Sequence, residues 1–158
     1  MMERALEYFI TKDNKIAARK TVTGEFIKSQ DFAPYFFLSL GKRIPQNIYK
    51  SMIEELKNDF VSNYGLSSEK LSSPKFKHNN LMRGGIWWHG LIIVEGIDLC
   101  GEHNFAKSLA EKYCKCILKS GFTYSYNVDT GEGEHIKNCS MSACLLYTSP
   151  SPRDRSVS

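Results

Sequence analysis

Apolar positions recur at helical spacing in two stretches of the chain and run almost unbroken in a third. Behind Pro45, the residues Ile48, Met52, Ile53, Leu56 and Phe60 fall at offsets of 4, 5, 8 and 12. This spacing predicts one amphipathic helix that begins just after the proline. A second helix is predicted from about Asn104 to Lys119, with Phe105, Leu109, Ala110, Tyr113, Cys114 and Ile117 on one face. Asn104 is placed to be its N-cap and Gly121 its C-cap glycine. Between these two, Ile86 to Leu99 is apolar nearly all round, as expected of a helix buried inside a bundle. The short break CGEHN would join it to the next helix as an αα-hairpin.

The remaining stretches read as connections. Residues 1–32 carry TKDNK and TGE turn chemistry and predict a short hairpin near Ile16 to Ile27. Phe32 to Leu38 is densely apolar. Residues 61–80, rich in Ser, Asn, Lys and Gly, have no period and predict a long loop, and Gly121 to Gly133 predicts another. The expected fold is therefore all-α, a partial toroid of helix hairpins with long loops gathered on one face. Loops so gathered are where function usually sits. Were the toroid incomplete, the inner face of Ile86 to Leu99 would be left as an apolar patch.

Composition narrows the function without naming it. With 158 residues, 42% apolar and 24% charged, the chain has the makeup of an ordinary globular domain. No run of eighteen apolar residues predicts a membrane span, and Met1-Met2-Glu3-Arg4 lacks the layout of a secretory signal. The compartment stays open, with the cytoplasm favoured. The formal charge of +4 is spread among acidic residues instead of forming a basic block, so a nucleic-acid partner is not expected. Five cysteines without regular spacing do not describe a disulfide scaffold. Cys114 and Cys116 would point to opposed faces of their helix, and His78, His103 and His135 fall on separate loops, so neither a metal site nor a cofactor is expected.

The tail breaks from this pattern. Cys144 to Asp154 reads CLLYTSPSPRD, eleven consecutive residues that match the translation of a transposase-type sequencing adapter. Residues 144–158 are therefore expected to be an artefactual, disordered tail. Residues 1–143 are expected to be the natural part, with a net charge of +3 once Arg153, Arg155 and Asp154 are set aside.

Four motifs carry a resemblance. Met82-Arg83-Gly84-Gly85-Ile86-Trp87 resembles W-R-G-P-[IV]-W, and Gly121-Phe122 with Tyr126 to Gly133 resembles G-F-x-E-x-Y-[ND]-P-x-T-G-E-G. Ser140-Met141-Ser142-Ala143 is similar to a F-S-W-T-A-A helix start, and Phe32-Ala33-Pro34 to F-A-P-L. Their order and spacing resemble glycoside hydrolase family 63, including mannosylglycerate and glucosylglycerate hydrolases and glucosidase I relatives. The resemblance implies the C-terminal part of an (α/α)6 barrel of twelve helices, over residues 1–143. It also implies an inverting hydrolysis of an α-glucosyl or α-mannosyl unit. In that chemistry one carboxylic acid protonates the glycosidic oxygen and a second carboxylate activates water. The family's acid, an Asp, would lie in a part outside this chain.

The resemblance also picks out site residues. Arg83 and Trp87 would bind sugar, the indole against C–H faces and the guanidinium at hydroxyls. Tyr126 and Asn127 could meet hydroxyls or serve as turn residues. Tyr124 occupies the position of the family's general base, and a tyrosine with a reference pKa near 10 keeps its proton at neutral pH. Glu132 or Asp129 could have taken over as base, although Glu132 could instead hold loop amides. Met82 replaces one aromatic wall and Gly85 a proline. His89 and Trp88 read as core packing, one turn into the buried helix. The expected partner is a small glycoside or oligosaccharide. The competing reading is a helical carbohydrate-binding or interaction module that has lost its base.

Overall fold

The computed structural model describes residues 7–78, 80, 83–140 and 142–143. The first described stretch is the expected hairpin: Arg19 bridges Phe26, and the amide of Lys20 donates to the carbonyl of Glu25. It folds over a 3-10 segment, Ala33–Arg43, which starts at Pro34 and kinks at Gly41. Helix α1, Gln46–Asp59, begins directly behind Pro45 as the spacing predicts. All five residues of its stripe are buried: Ile48, Met52, Ile53, Leu56 and Phe60.

The central segment corrects the sequence reading. Ile86–Trp87 is a strand, β1, and the helix that follows, α2, spans only Gly90–Leu99. Two glycines and a run of bulky residues gave no period by which a strand and a helix could be told apart. Helix α3 runs over His103–Ser120, with Glu102 and not Asn104 in the N-cap position and Gly121 at the C-cap. Its buried face is Ala106, Leu109, Tyr113 and Cys116, one position round from the predicted stripe, and Cys114 is exposed. The two cysteines thus do lie on opposed faces.

The stretch after Gly121 is also not a loop. Thr123–Tyr126 forms β2 and Gly133–Lys137 forms β3, and with β1 they make a three-stranded antiparallel sheet in the order β1-β2-β3. Ile86 pairs with Tyr126 and Trp87 with Ser125. The chain is helix-rich, and the all-α expectation fails at this sheet. TYSY alternates and is β-prone, but the glycines and TGE chemistry around it read as a connection. The described residues of 61–80 form no helix or named strand, as expected, and make only isolated bridges, yet Leu66, Ser67, Ser68 and Glu69 are buried. Met82, which replaces an aromatic of the motif, the residue Met141 and the tail 144–158 lie outside the described residues.

Helix α2 packs closely on the 3-10 segment, and Gly96 is where their backbones meet. A Cβ at that position would stand 2.5 Å from the carbonyl carbon of Leu38 and 2.7 Å from the amide of Ser39. On α2, Ile93, Val94 and Ile97 are buried with Ile86 in the common core, and Leu99 is exposed. Most of the expected apolar patch is thus covered within the chain. No helix among the described residues is long and apolar enough to cross a membrane.

On the other flank, α1 holds a half-buried polar knot. Lys70 donates to Glu55 and, at 2.8 Å, to Asp59. Burial by itself raises the Glu55 carboxyl, but hydrogen bonds from Lys70 and from Tyr35 outweigh it, and the net pKa lies below the ordinary value. A carboxyl depressed on folding contributes stability that is present above its unfolded pKa, about 4.3, and is lost as pH falls through the folded one.

Two outcomes are expected. Gly96→Val should cost about 1–3 kcal/mol through overpacking, read as a lower urea midpoint at an unchanged m-value; an unchanged midpoint would contradict the close approach. The stability gap between the native chain and Glu55→Gln should be full at neutral pH and close below about pH 4. A gap independent of pH would rule out the carboxylate's contribution.

Candidate functional site

Arg83 and Trp87 do not start a helix. They flank a turn that docks on residues 67–69 through a set of backbone bonds. The Gly84 amide donates to Ser68 Oγ at 3.1 Å, Ser67 Oγ donates to the Gly84 carbonyl at 3.2 Å, and the Ser68 amide donates to the Gly85 carbonyl at 3.0 Å. Gly84 has no room for a side chain, since a Cβ would lie 2.3 Å from the Lys77 carbonyl oxygen. The glycine of the Arg-Gly pair is thus a packing requirement of the turn.

Beneath the turn lies Glu69, which is fully buried. Arg83 Nη1 donates to Glu69 Oε2 at 2.9 Å and Ser73 Oγ donates to Oε1 at 2.6 Å. A buried carboxylate requires such partners. Arg83 stays partly exposed, so its guanidinium bridges a sealed charge and an open surface. A fixed guanidinium of this kind keeps donors free for a ligand.

The open side is a cleft of about 300 Å³ lined by Asp31, Phe32, Phe36, Ser68, Arg83, Trp87 and His89, among others. Trp87 is its aromatic wall. It meets Phe32 edge to face at 5.9 Å and lies 5.5 Å from the His89 ring. On the other side it reaches Tyr124, with ring centroids 6.4 Å apart. Tyr113, buried, donates from its hydroxyl to the Trp87 carbonyl at 3.2 Å and holds the wall from below. Aromatic surface beside a charged donor and a carboxylate suits a polyhydroxylated ring.

The structure brings Arg83 and Trp87 together and sets the other expected residues elsewhere. Tyr126 is buried and donates to the Gly121 carbonyl at 2.9 Å. Asn127 is a turn residue: its Oδ1 accepts from the amides of Asp129 and Thr130, and its Nδ2 donates to Glu134 at 2.8 Å. Glu132 is exposed, and its carboxylate faces Lys119 at 3.6 Å, not loop amides. Asp129 pairs with His78 at 2.5 Å, both exposed. Neither acid lines the cleft. His89 stands at the N-cap of α2 and not one turn inside a helix, and Trp88 stacks on it at 3.6 Å. Three cleft residues were missed by sequence reasoning: Asp31, Ser68 and His89. Only the adjacency of Asp31 to Phe32-Ala33-Pro34 could have signalled any of them.

A family model described as the mannosylglycerate hydrolase MGH1-like glycoside hydrolase domain matches residues 3–142. The chain belongs to that family. Among solved structures it is similar to the GH63 mannosylglycerate hydrolase from Thermus thermophilus in complex with glucose, at 24% identity and a TM-score of 0.81. That match covers 93% of this chain and 38% of the other. The same enzyme in complex with Tris and D-glycerate matches at 24% identity and a TM-score of 0.80, over 93% and 37% of the two chains. An uncharacterized conserved protein of that organism matches at 24% identity and a TM-score of 0.81, over 93% and 38%. The likeness is one of fold, and the chain spans under two fifths of the length of these relatives. No curated protein matches.

Arg83→Ala should leave Glu69 short of a donor and cost about 1–3 kcal/mol. Adding Glu69→Gln should recover part of that loss, measured by urea unfolding in a double-mutant cycle. Additive losses would show that the pair is not coupled.

Proposed function

We propose that residues 1–143 are the C-terminal part of an (α/α)6 glycoside hydrolase catalytic domain, and that the parent enzyme removes an α-glucosyl or α-mannosyl unit from a small glycoside with inversion. The observation that supports this reading is the cleft at Trp87. It joins an aromatic wall, the anchored guanidinium of Arg83 and the Asp31 carboxylate, within a chain of the mannosylglycerate hydrolase-like family. The three-stranded sheet fits the toroid as a rim that carries the Trp87 wall and Tyr124 side by side.

Hydrolysis with inversion needs an acid and a water-activating base on opposite faces of the sugar. In this reading Tyr124, which stands beside Trp87, takes the position of the family's general base. A phenol can donate to a sugar hydroxyl but does not take a proton from water at neutral pH. This observation favours a second reading, a carbohydrate-binding module that keeps the wall and the guanidinium without turnover.

Tryptophan emission reads the cleft directly, because Trp87 and Trp88 are the two indoles of the chain. Glucose should bind the 158-residue chain saturably, and Trp87→Ala should weaken it about tenfold. Absence of saturable binding would sink both readings. Release of mannose or glucose from mannosylglycerate or glucosylglycerate, by the chain as it stands, would decide for catalysis and against the module.

A further inference from the structure

His89 is the cleft residue whose chemistry the sequence did not reveal. Its Nδ1 is sealed from solvent and has no hydrogen-bond partner. Trp88 covers one face of the ring at 3.6 Å, and Trp87 and Phe36 approach it at 5.5 and 6.3 Å. Nε2 is therefore the ring nitrogen that a ligand in the cleft can meet.

We infer that His89 is a positioning residue of the sugar cleft, fixed as the neutral Nε2–H tautomer and donating one hydrogen bond to a hydroxyl oxygen of the bound sugar. The inference rests on the cleft being a sugar site. A sealed N–H without an acceptor is a rarer and costlier arrangement than a sealed lone pair, so the single proton of the neutral ring belongs on Nε2. Charging the ring would place a second N–H at the sealed Nδ1. Burial accordingly lowers the His89 pKa below its ordinary value. The charged groups that line the cleft with His89 are Asp31 and Arg83, and Phe32, Phe36 and Trp87 are its apolar lining. Desolvation by burial is the cause of the lowering and favours the neutral ring.

The consequence is a division of labour. His89 supplies a donor, Arg83 a charged donor and Asp31 an acceptor, so a ring hydroxyl is read by complementary groups on one wall. A ring in this state cannot replace the missing base, because its exposed nitrogen already carries a proton. Glutamine places an amide N–H near the reach of Nε2, whereas alanine removes the donor.

Glucose titration by tryptophan emission, at several pH values, separates the possibilities. His89→Ala should weaken binding about tenfold and His89→Gln less than about threefold. Native affinity should not follow an ordinary imidazole titration near about pH 6.5. Nitrogen-15 spectra of the imidazole should show Nδ1 unprotonated at about pH 6. Equal affinity in His89→Ala, an Nδ1–H tautomer, or affinity that follows an ordinary imidazole titration would overturn the role of His89 while leaving the sugar cleft intact. If the native chain fails to bind glucose, the sugar reading falls first and His89 with it.

Discussion

A carboxylate without access to water must be met by donors brought to it by the fold, and Glu69 is such a group. It sits in a stretch that has no regular secondary structure, so nothing local fixes it. What fixes it is Arg83 from one side and Ser73 from the other, with the hydroxyls of Ser67 and Ser68 stitched to the Gly84 backbone. The order of Arg83, Gly84 and Trp87 in space follows from this. Arg83 must reach down to Glu69, Gly84 must clear the Lys77 carbonyl, and the chain leaves the turn as β1 with Trp87 against the cleft. The geometry of the cleft is therefore set by a charge sealed beneath it.

The same constraint explains what the sequence disclosed and what it did not. Helix α1 was legible because its buried stripe is periodic and its start is marked by Pro45. Helix α3 was legible in extent, but its buried face is shifted by a position, since packing on α2 is chosen by Leu109 and Tyr113 and not by the sum of apolar residues. Ile86 and Trp87 became a strand because β2 offers a partner edge on the far side of two helices, information that no local window contains. In the site, Arg83 and Trp87 were legible through a motif. Asp31, Ser68 and His89 were not, because each joins the cleft by tertiary placement alone.

Asn127 takes the turn role, one of the two roles its motif left open. Its side chain accepts from two amides and donates to Glu134, which uses its oxygen and its Nδ2 in shaping the turn between β2 and β3. Tyr126 does likewise from the core, tying β2 to the end of α3 through the Gly121 carbonyl. Both residues therefore orient the strand that presents Tyr124. In a loop that carries a base, holding the backbone is as necessary as the base itself, since a displacement of about 1 Å at a reacting group can cost on the order of a hundredfold in rate.

That rigid support makes Tyr124 the informative departure. The strand, its turn and its contact with Trp87 are all in place, and they set a phenol beside the indole. The Tyr124 ring thereby extends the aromatic surface of Trp87 beyond the cleft. Binding and turnover make different demands on such a site: binding asks for donors, acceptors and apolar faces in the ground state, and turnover for a group that gains charge in the transition state. The Trp87 face, the Arg83 guanidinium and the Asp31 carboxylate answer the first of these demands.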